Sequence, residues 1–206
     1  ITRQRVGAKG DVLQLINNAD VNLCLWKRPK NELIANEVST LNPFQIADEQ
    51  QVTHKTTFRD DIATFLKQQS VDLVAFSNTL ADLSQLAEIF FSAIDDSKAS
   101  FRLFTTVDDD CRRFHVDHRR LRLICTYQGP GTEWLTDEQV DRAAYERGSP
   151  NETIIRYGEP SRFQPFWVGI LKDDAFPGNK GRGLVHRSPP MAGSKPPRVV
   201  FTLDLS

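Results

Sequence analysis

From Ser100 onward the apolar residues of this chain stop recurring at helical spacing and begin to alternate, and that change of period constrains the fold more than any other feature. FRLFTTV, LRLICTY, PFWVGIL, GLVHR and RVVFTLDL are short runs rich in β-branched and aromatic residues. Between them stand DDD, QGPGT, FPGNKGRG and SPPMAGSKPP, which supply the Gly, Pro and Asp that turns require. A helix at about Asp137 to Arg147 interrupts the series. Strands this dense, without βαβ helices between them, imply an antiparallel sandwich or jelly roll.

The first half reads differently. Val21 to Trp26 (VNLCLW) is a short apolar run ended by Lys27-Arg28-Pro29, as a buried strand would be. Asn31 can cap a helix running to Val38. Thr57 precedes FRDDIATFLKQQ, where Ile62, Phe65 and Leu66 recur at helical spacing. Asp60 and Asp61 fall in its first turn, where the helix dipole favours acids. The clearest helix, capped by Thr79, is LADLSQLAEIFFSAI, whose Leu80, Leu83, Leu86, Phe90 and Ile94 form one stripe that needs a sheet to cover. The expected fold class is therefore α+β. Residues 1–206 form one domain, with a mainly helical layer over 1–97 covering a jelly-roll core over 98–206 that holds the chemistry. His54 reads as a surface residue.

Composition enters only to exclude. Twenty-six basic residues against 27 acidic leave a net charge of -1, so no global field calls for nucleic acid or an anionic membrane. No apolar run approaches the roughly 20 residues of a membrane-spanning helix, and ITRQRVGAKGD lacks the apolar centre of a signal peptide. Three scattered cysteines make no even disulfide framework and fit a reducing compartment. These features give the expectation of a cytoplasmic protein without a membrane partner, acting on a small-molecule or protein substrate that the residues do not identify.

The chemistry concentrates between Asp108 and Trp134, which holds two of the four histidines and two of the three cysteines. In an extended segment His115 and Asp117 project from the same face. His186, the histidine that follows, ends the run GLVHR. Arg198 opens the last run, where Arg198, Val200 and Thr202 share a face. Two imidazoles and one carboxylate are the ligands of a non-haem Fe(II) facial triad, which leaves positions open for oxygen and a bidentate co-substrate. An arginine on the neighbouring strand suits the far carboxylate of that co-substrate.

Other readings stand beside this one. His115 and Asp117 can be a plain hydrogen-bonded pair at a strand end. The same three ligands can hold zinc with a water in the fourth position, and Cys111, His115, His118 and Cys125 offer a separate zinc set. Cys125 also fits an ordinary buried cysteine, and Cys111 a plain strand residue. Arg112, Arg113, Arg119, Arg120 and Arg122 form a basic cluster, read as a solvated face balanced by Asp108, Asp109 and Asp110 or, alternatively, as a receiver of an anionic substrate. Trp134 and Tyr127 are the aromatics that a nucleic-acid surface would need exposed. Glu133 reads as a surface carboxylate.

The order His-x-Asp, His, then Arg opening the final strand resembles the Fe(II)/2-oxoglutarate-dependent oxygenases over roughly residues 100 to 206. That resemblance implies an antiparallel double-stranded β-helix (jelly roll, cupin-like). It implies Fe(II) bound by His115, Asp117 and His186, and 2-oxoglutarate paired with Arg198, helped by Tyr127 or Thr202. The phrases FHVDHRRLRLICTYQGPGTEWL, GLVHRSPP and RVVFTLD also resemble a bacterial family catalogued only as a domain of unknown function. That second resemblance implies a role in zinc homeostasis, so the alternative function is a non-catalytic metal-binding protein of the same fold.

Overall fold

The computed structural model describes residues 3–108, 111–191 and 196–206. Its largest element is a seven-stranded sheet, built from β1 (Arg3–Gly7), β2 (Val21–Trp26), β3 (Gln51–His54), β4 (Lys98–Thr106), β5 (Leu121–Gln128), β8 (Val168–Lys172) and β10 (Arg198–Leu205). The spatial order is β1-β2-β8-β5-β10-β4-β3. Every neighbouring pair is antiparallel except β1 with β2. A second sheet joins β7 (Ser161–Arg162), β6 (Glu133–Trp134) and β9 (His186–Arg187) in that order. It is extended by a lone antiparallel bridge between His115 and His186. The fold is thus mixed α+β with a large, mostly antiparallel sheet.

β10 is buried along its whole length, and its two faces do different things. Val199, Phe201, Leu203 and Leu205 join the main apolar cluster, together with Leu121, Leu123, Cys125 and Tyr127 of β5. That cluster takes in residues of α1 (Glu32–Ser39), α2 (Phe58–Gln68), α3 (Ser77–Ala93) and the 3-10 helix Gly10–Asn17. Phe58 meets Phe101 and Phe201 edge-on, with centroids 5.5 and 6.1 Å apart, and Phe65 meets Phe101 at 5.8 Å. The opposite face of the sheet carries Ile124 and Val200. They pack with Leu23, Leu25, Leu171 and Trp134 of the small sheet. Arg198, Thr202 and Asp204, which alternate onto that second face, are also buried.

Several elements depart from the expectations above. The strand expected at Val21 to Trp26 forms as β2, but the otherwise helical first half also supplies β1 and β3 to the sheet. β1 and β3 carry little sequence signal because edge strands are held by backbone pairing and need few apolar side chains; Val6 and Val52 are exposed on them. The expected helix from Asp137 shrinks to α4 (Arg142–Glu146), because Asp141 accepts a hydrogen bond from the Ala144 amide and starts the helix there. α5 (Asn151–Ile154) follows at once. α1 begins as expected, with Asn31 Oδ1 accepting from the Leu33 and Ile34 amides at 3.0 and 3.3 Å.

Thr79 does not cap α3, which starts at Ser77. The cap comes from α1. Glu37 accepts from the Asn78 and Thr79 amides at 3.0 and 2.7 Å, and from the Thr79 hydroxyl at 2.6 Å. Burial pushes the Glu37 carboxyl up, but the bonds from Thr79 and Asn78 outweigh it and hold the group below the ordinary carboxylate range. A carboxylate lowered on folding stabilises above its unfolded pKa of about 4.3 and loses that effect as pH falls through the folded value. Glu37→Ala is expected to cost about 1 kcal/mol near neutral pH. In denaturant titrations the gap to the parent should narrow steadily below about pH 4; a gap independent of pH would rule out the carboxylate cap.

Candidate metal centre

Two backbone bonds fix the histidines face to face. His115 N–H donates to the His186 carbonyl and His186 N–H to that of His115, both at 2.9 Å, and the rings stand 4.7 Å apart. Each ring is also held by its own chain. Nδ1 of His115 donates to the Arg113 carbonyl at 2.9 Å, and Nδ1 of His186 to the Leu184 carbonyl at 3.0 Å. A proton fixed on Nδ1 leaves the Nε2 lone pair for a metal, as ligating histidines require. Both Nε2 atoms face Asp117, 3.4 Å from Oδ1 for His115 and 3.7 Å from Oδ2 for His186. One ligand atom from each of the three residues lies within 4.8 Å of the others. Among the described residues no other histidine, cysteine and carboxylate group comes together in this way.

The electrostatics suit a cation. Burial would raise the Asp117 carboxyl, but the His115 contact and the positive Arg122 beside it hold it well below the usual carboxylate range. Burial pushes His186 down to about 4, the Asp117 charge opposing, so its imidazole is neutral near pH 7. Burial also lowers His115, but its bond to Asp117 dominates and the pKa is raised. An ionised carboxylate and two imidazole nitrogens without thiolate fit Fe(II), Mn(II) or Zn(II). Such a metal is therefore compatible with the residues present.

Behind Asp117 lies a chain of ion pairs that the local sequence does not announce. Arg122 Nη1 stands 2.5 Å from Asp117 Oδ2, and its Nε donates to Asp204 Oδ1 at 2.6 Å. Asp204, with no side-chain exposure, also meets Arg119 at 3.0 Å. Arg120 reaches Asp96 at 3.7 Å. Within the basic cluster Arg119 and Arg122 pair with buried Asp204 rather than forming a solvated face, and of the acids expected to balance the cluster Asp109 and Asp110 lie outside the described residues. Alternation in RVVFTLDL places Asp204 on the same face as Arg198, and that is the available signal.

In front of the triad a cavity of about 360 Å³ is lined by His115, Asp117 and His186, with Arg198, Thr202 and Arg102 among the other walls. Arg198 is buried, and its Nη2 donates to Thr132 Oγ1 at 3.0 Å. Thr132 was not anticipated. The turn before it demands glycine: Gly129 has φ +81°, and a Cβ on Gly131 would stand 2.2 Å from the Phe163 carbonyl oxygen. Thr202 lines the same cavity, its hydroxyl buried without a hydrogen-bond partner.

Tyr127 does not belong here. It lies on the helix-facing side of β5 and donates to Asp82 at 2.5 Å, so its place as a co-substrate group is withdrawn. The Cys111–His115–His118–Cys125 zinc set also fails to assemble. Cys125 is buried on that same far face and His118 is exposed, although Cys111, exposed and outside any strand, does line the cavity. Glu133 is buried rather than superficial, ion-paired with Arg162 and bonded by Arg187 Nε at 2.7 Å. Trp134 and Tyr127 are buried and offer no exposed stacking platform for nucleic acid. No helix among the described residues is long and apolar enough to cross a membrane.

The sequence profile of a family described as a protein of unknown function (DUF1826) matches residues 7–204. No curated protein matches the chain in sequence. Solved structures do match in fold. The dioxygenase for auxin oxidation 1 from Arabidopsis thaliana, in its 2-oxoglutarate binary complex, has a TM-score of 0.54 at 10% identity, over 100% of this chain and 92% of that one. The rice dioxygenase for auxin oxidation has a TM-score of 0.55 at 12% identity, over 100% and 83% of the two chains. At such identities the likeness shows the fold alone, which this chain shares with those two dioxygenases.

Proposed function

The chain belongs to the DUF1826 family, and we propose that it is a non-haem Fe(II)- and 2-oxoglutarate-dependent oxygenase with a double-stranded β-helix core. The observation that carries this reading is the convergence of two Nε2 atoms and the Asp117 carboxylate at one end of a cavity that also contains a buried arginine, Arg198. The oxygenase fold of the structural neighbours supports it.

On this reading His115, Asp117 and His186 hold Fe(II), leaving positions open toward the cavity. Fe(II) with bound 2-oxoglutarate supplies the oxidative chemistry, in which one atom of O₂ enters succinate as CO₂ is lost and the other enters the substrate. The chain's own residues position and enclose. Arg122, anchored on Asp204, holds one oxygen of Asp117 and so favours one-oxygen ligation by the other. Arg198, braced by Thr132, offers paired N–H donors to the distal carboxylate of the co-substrate. Ile124, Val200 and Phe104 form an apolar wall that limits water.

Arg198→Gln tests the assignment. Removing a charged, bidentate donor should weaken 2-oxoglutarate binding about 100-fold, read by calorimetry on the Fe(II)-loaded protein without oxygen. Fe(II) content should stay that of the parent. The oxygenase reading fails if the loaded parent does not bind 2-oxoglutarate. Firm retention of zinc with no such affinity is what a zinc-handling protein would give.

A further inference from the structure

The cavity contains more cationic grip than the metal and its co-substrate account for. Five arginines line it: Arg102, Arg119, Arg122, Arg187 and Arg198. Arg119 and Arg122 meet buried Asp204, and Arg187 meets buried Glu133. Arg198 takes the co-substrate on the reading above. Arg102 differs. Its carboxylate partner, Asp48, stands 3.3 Å from Nη1 and is 46% exposed, and Gln50 lies at 3.5 Å. A pair that open contributes little, and an incoming anion can replace it at small cost.

Two buried polar atoms beside that pair have no hydrogen-bond partner. One is Nε of Arg102 and the other is Oγ1 of Thr202. They are cross-strand neighbours, since Thr202 of β10 stands opposite Arg102 of β4, and both line the cavity. Thr202 is 4% exposed, so bulk water does not satisfy its hydroxyl. Buried donors without partners are uncommon, and an oxyanion satisfies an N–H and an O–H at once. Arg198 is four residues from Thr202, which puts their Cα atoms roughly 13 Å apart along the strand. Phe104 and Asp48 also line a second cavity of about 320 Å³.

We propose that Arg102 and Thr202 form a second oxyanion subsite, separate from Arg198, which binds a carboxylate, sulfonate or phosphate group of the substrate. Its role as a substrate subsite rests on the oxygenase reading; its affinity for oxyanions does not. The test is calorimetric titration of the metal-free full chain with inorganic phosphate, on the parent and on Arg102→Gln, Thr202→Val and Arg198→Gln. The parent and Arg198→Gln should bind one equivalent at millimolar concentration. Arg102→Gln should bind at least about tenfold more weakly and Thr202→Val about threefold. Far-ultraviolet circular dichroism checks folding, and Thr202→Val keeps the side-chain shape where Arg102→Gln does not. Absence of saturable phosphate binding by the parent, or equal binding by Arg102→Gln and Thr202→Val, overturns the subsite. So does loss confined to Arg198→Gln, which would assign the anion to the co-substrate position. Phosphate binding that depends on Arg102 in a protein that does not bind 2-oxoglutarate would leave the subsite standing and remove the oxygenase reading.

Discussion

His186→Ala is expected to abolish stoichiometric uptake of Fe(II). His186 is buried, its Nδ1 is committed to the Leu184 carbonyl, and its neutral Nε2 faces Asp117 at 3.7 Å. Removing a group that merely supports a ligand typically costs 10- to 100-fold in metal affinity, so deleting a ligand should cost at least about 100-fold. Alanine also leaves the Asp117 carboxylate facing His115 alone, a set too small to hold the metal against water. The measurement is anoxic equilibrium dialysis followed by elemental analysis. The parent should retain one equivalent and His186→Ala none, with His54→Ala, remote from the cavity, behaving as the parent. If His186→Ala, shown to be folded, keeps the full equivalent, the triad is not a metal site and the co-substrate argument goes with it.

Much of this centre is legible in the amino-acid sequence, because β geometry makes position along the chain informative. Period two places His115 and Asp117 on one face and ranks Arg198, Thr202 and Asp204 on another. The same rule also argues against Tyr127: β5 carries Arg122 and Ile124 toward the cavity, so Tyr127, an odd number of residues from each, must face the helices. What the rule does not give is which strands lie side by side. Arg122 meets Asp204 across a β5–β10 pairing separated by 82 residues, and Thr132 reaches Arg198 over 66. Such pairings are set by sheet order, and the local sequence does not encode the order. Arg119 and Arg122 resemble a solvated face for the same reason, since Asp204, the partner they share, is distant in sequence and buried. Edge strands such as β3 stay hidden because their stabilisation is in backbone hydrogen bonds, which leave no side-chain pattern.

The far face of the sheet supplies the largest expected loss of stability. Arg28, just past the end of β2, grips Asp82 of α3 with two bonds of 2.6 and 2.8 Å, both side chains being about one-tenth exposed. Its Nε donates to the Phe166 carbonyl at 2.7 Å, and Tyr127 donates its hydroxyl to Asp82 Oδ2. The network ties α3 to the sheet, and it is satisfied in every part named. Asp82→Ala would strand a buried guanidinium, for which the usual cost is about 3–5 kcal/mol. Tyr127→Phe removes one bond to a charged group and should cost about 1–2 kcal/mol. Burial raises the Tyr127 phenol well above its ordinary range, which favours the protonated hydroxyl that donates this bond. Urea titration of both variants gives the energies, and 2-oxoglutarate titration of the Fe(II)-loaded Tyr127→Phe protein gives the location. Its affinity should equal the parent's, because the hydroxyl and the cavity lie on opposite faces of β5. A Tyr127→Phe protein that loses the co-substrate while keeping its stability would return the tyrosine to the site, and an Asp82→Ala cost below about 1 kcal/mol would mean that Arg28 finds water instead.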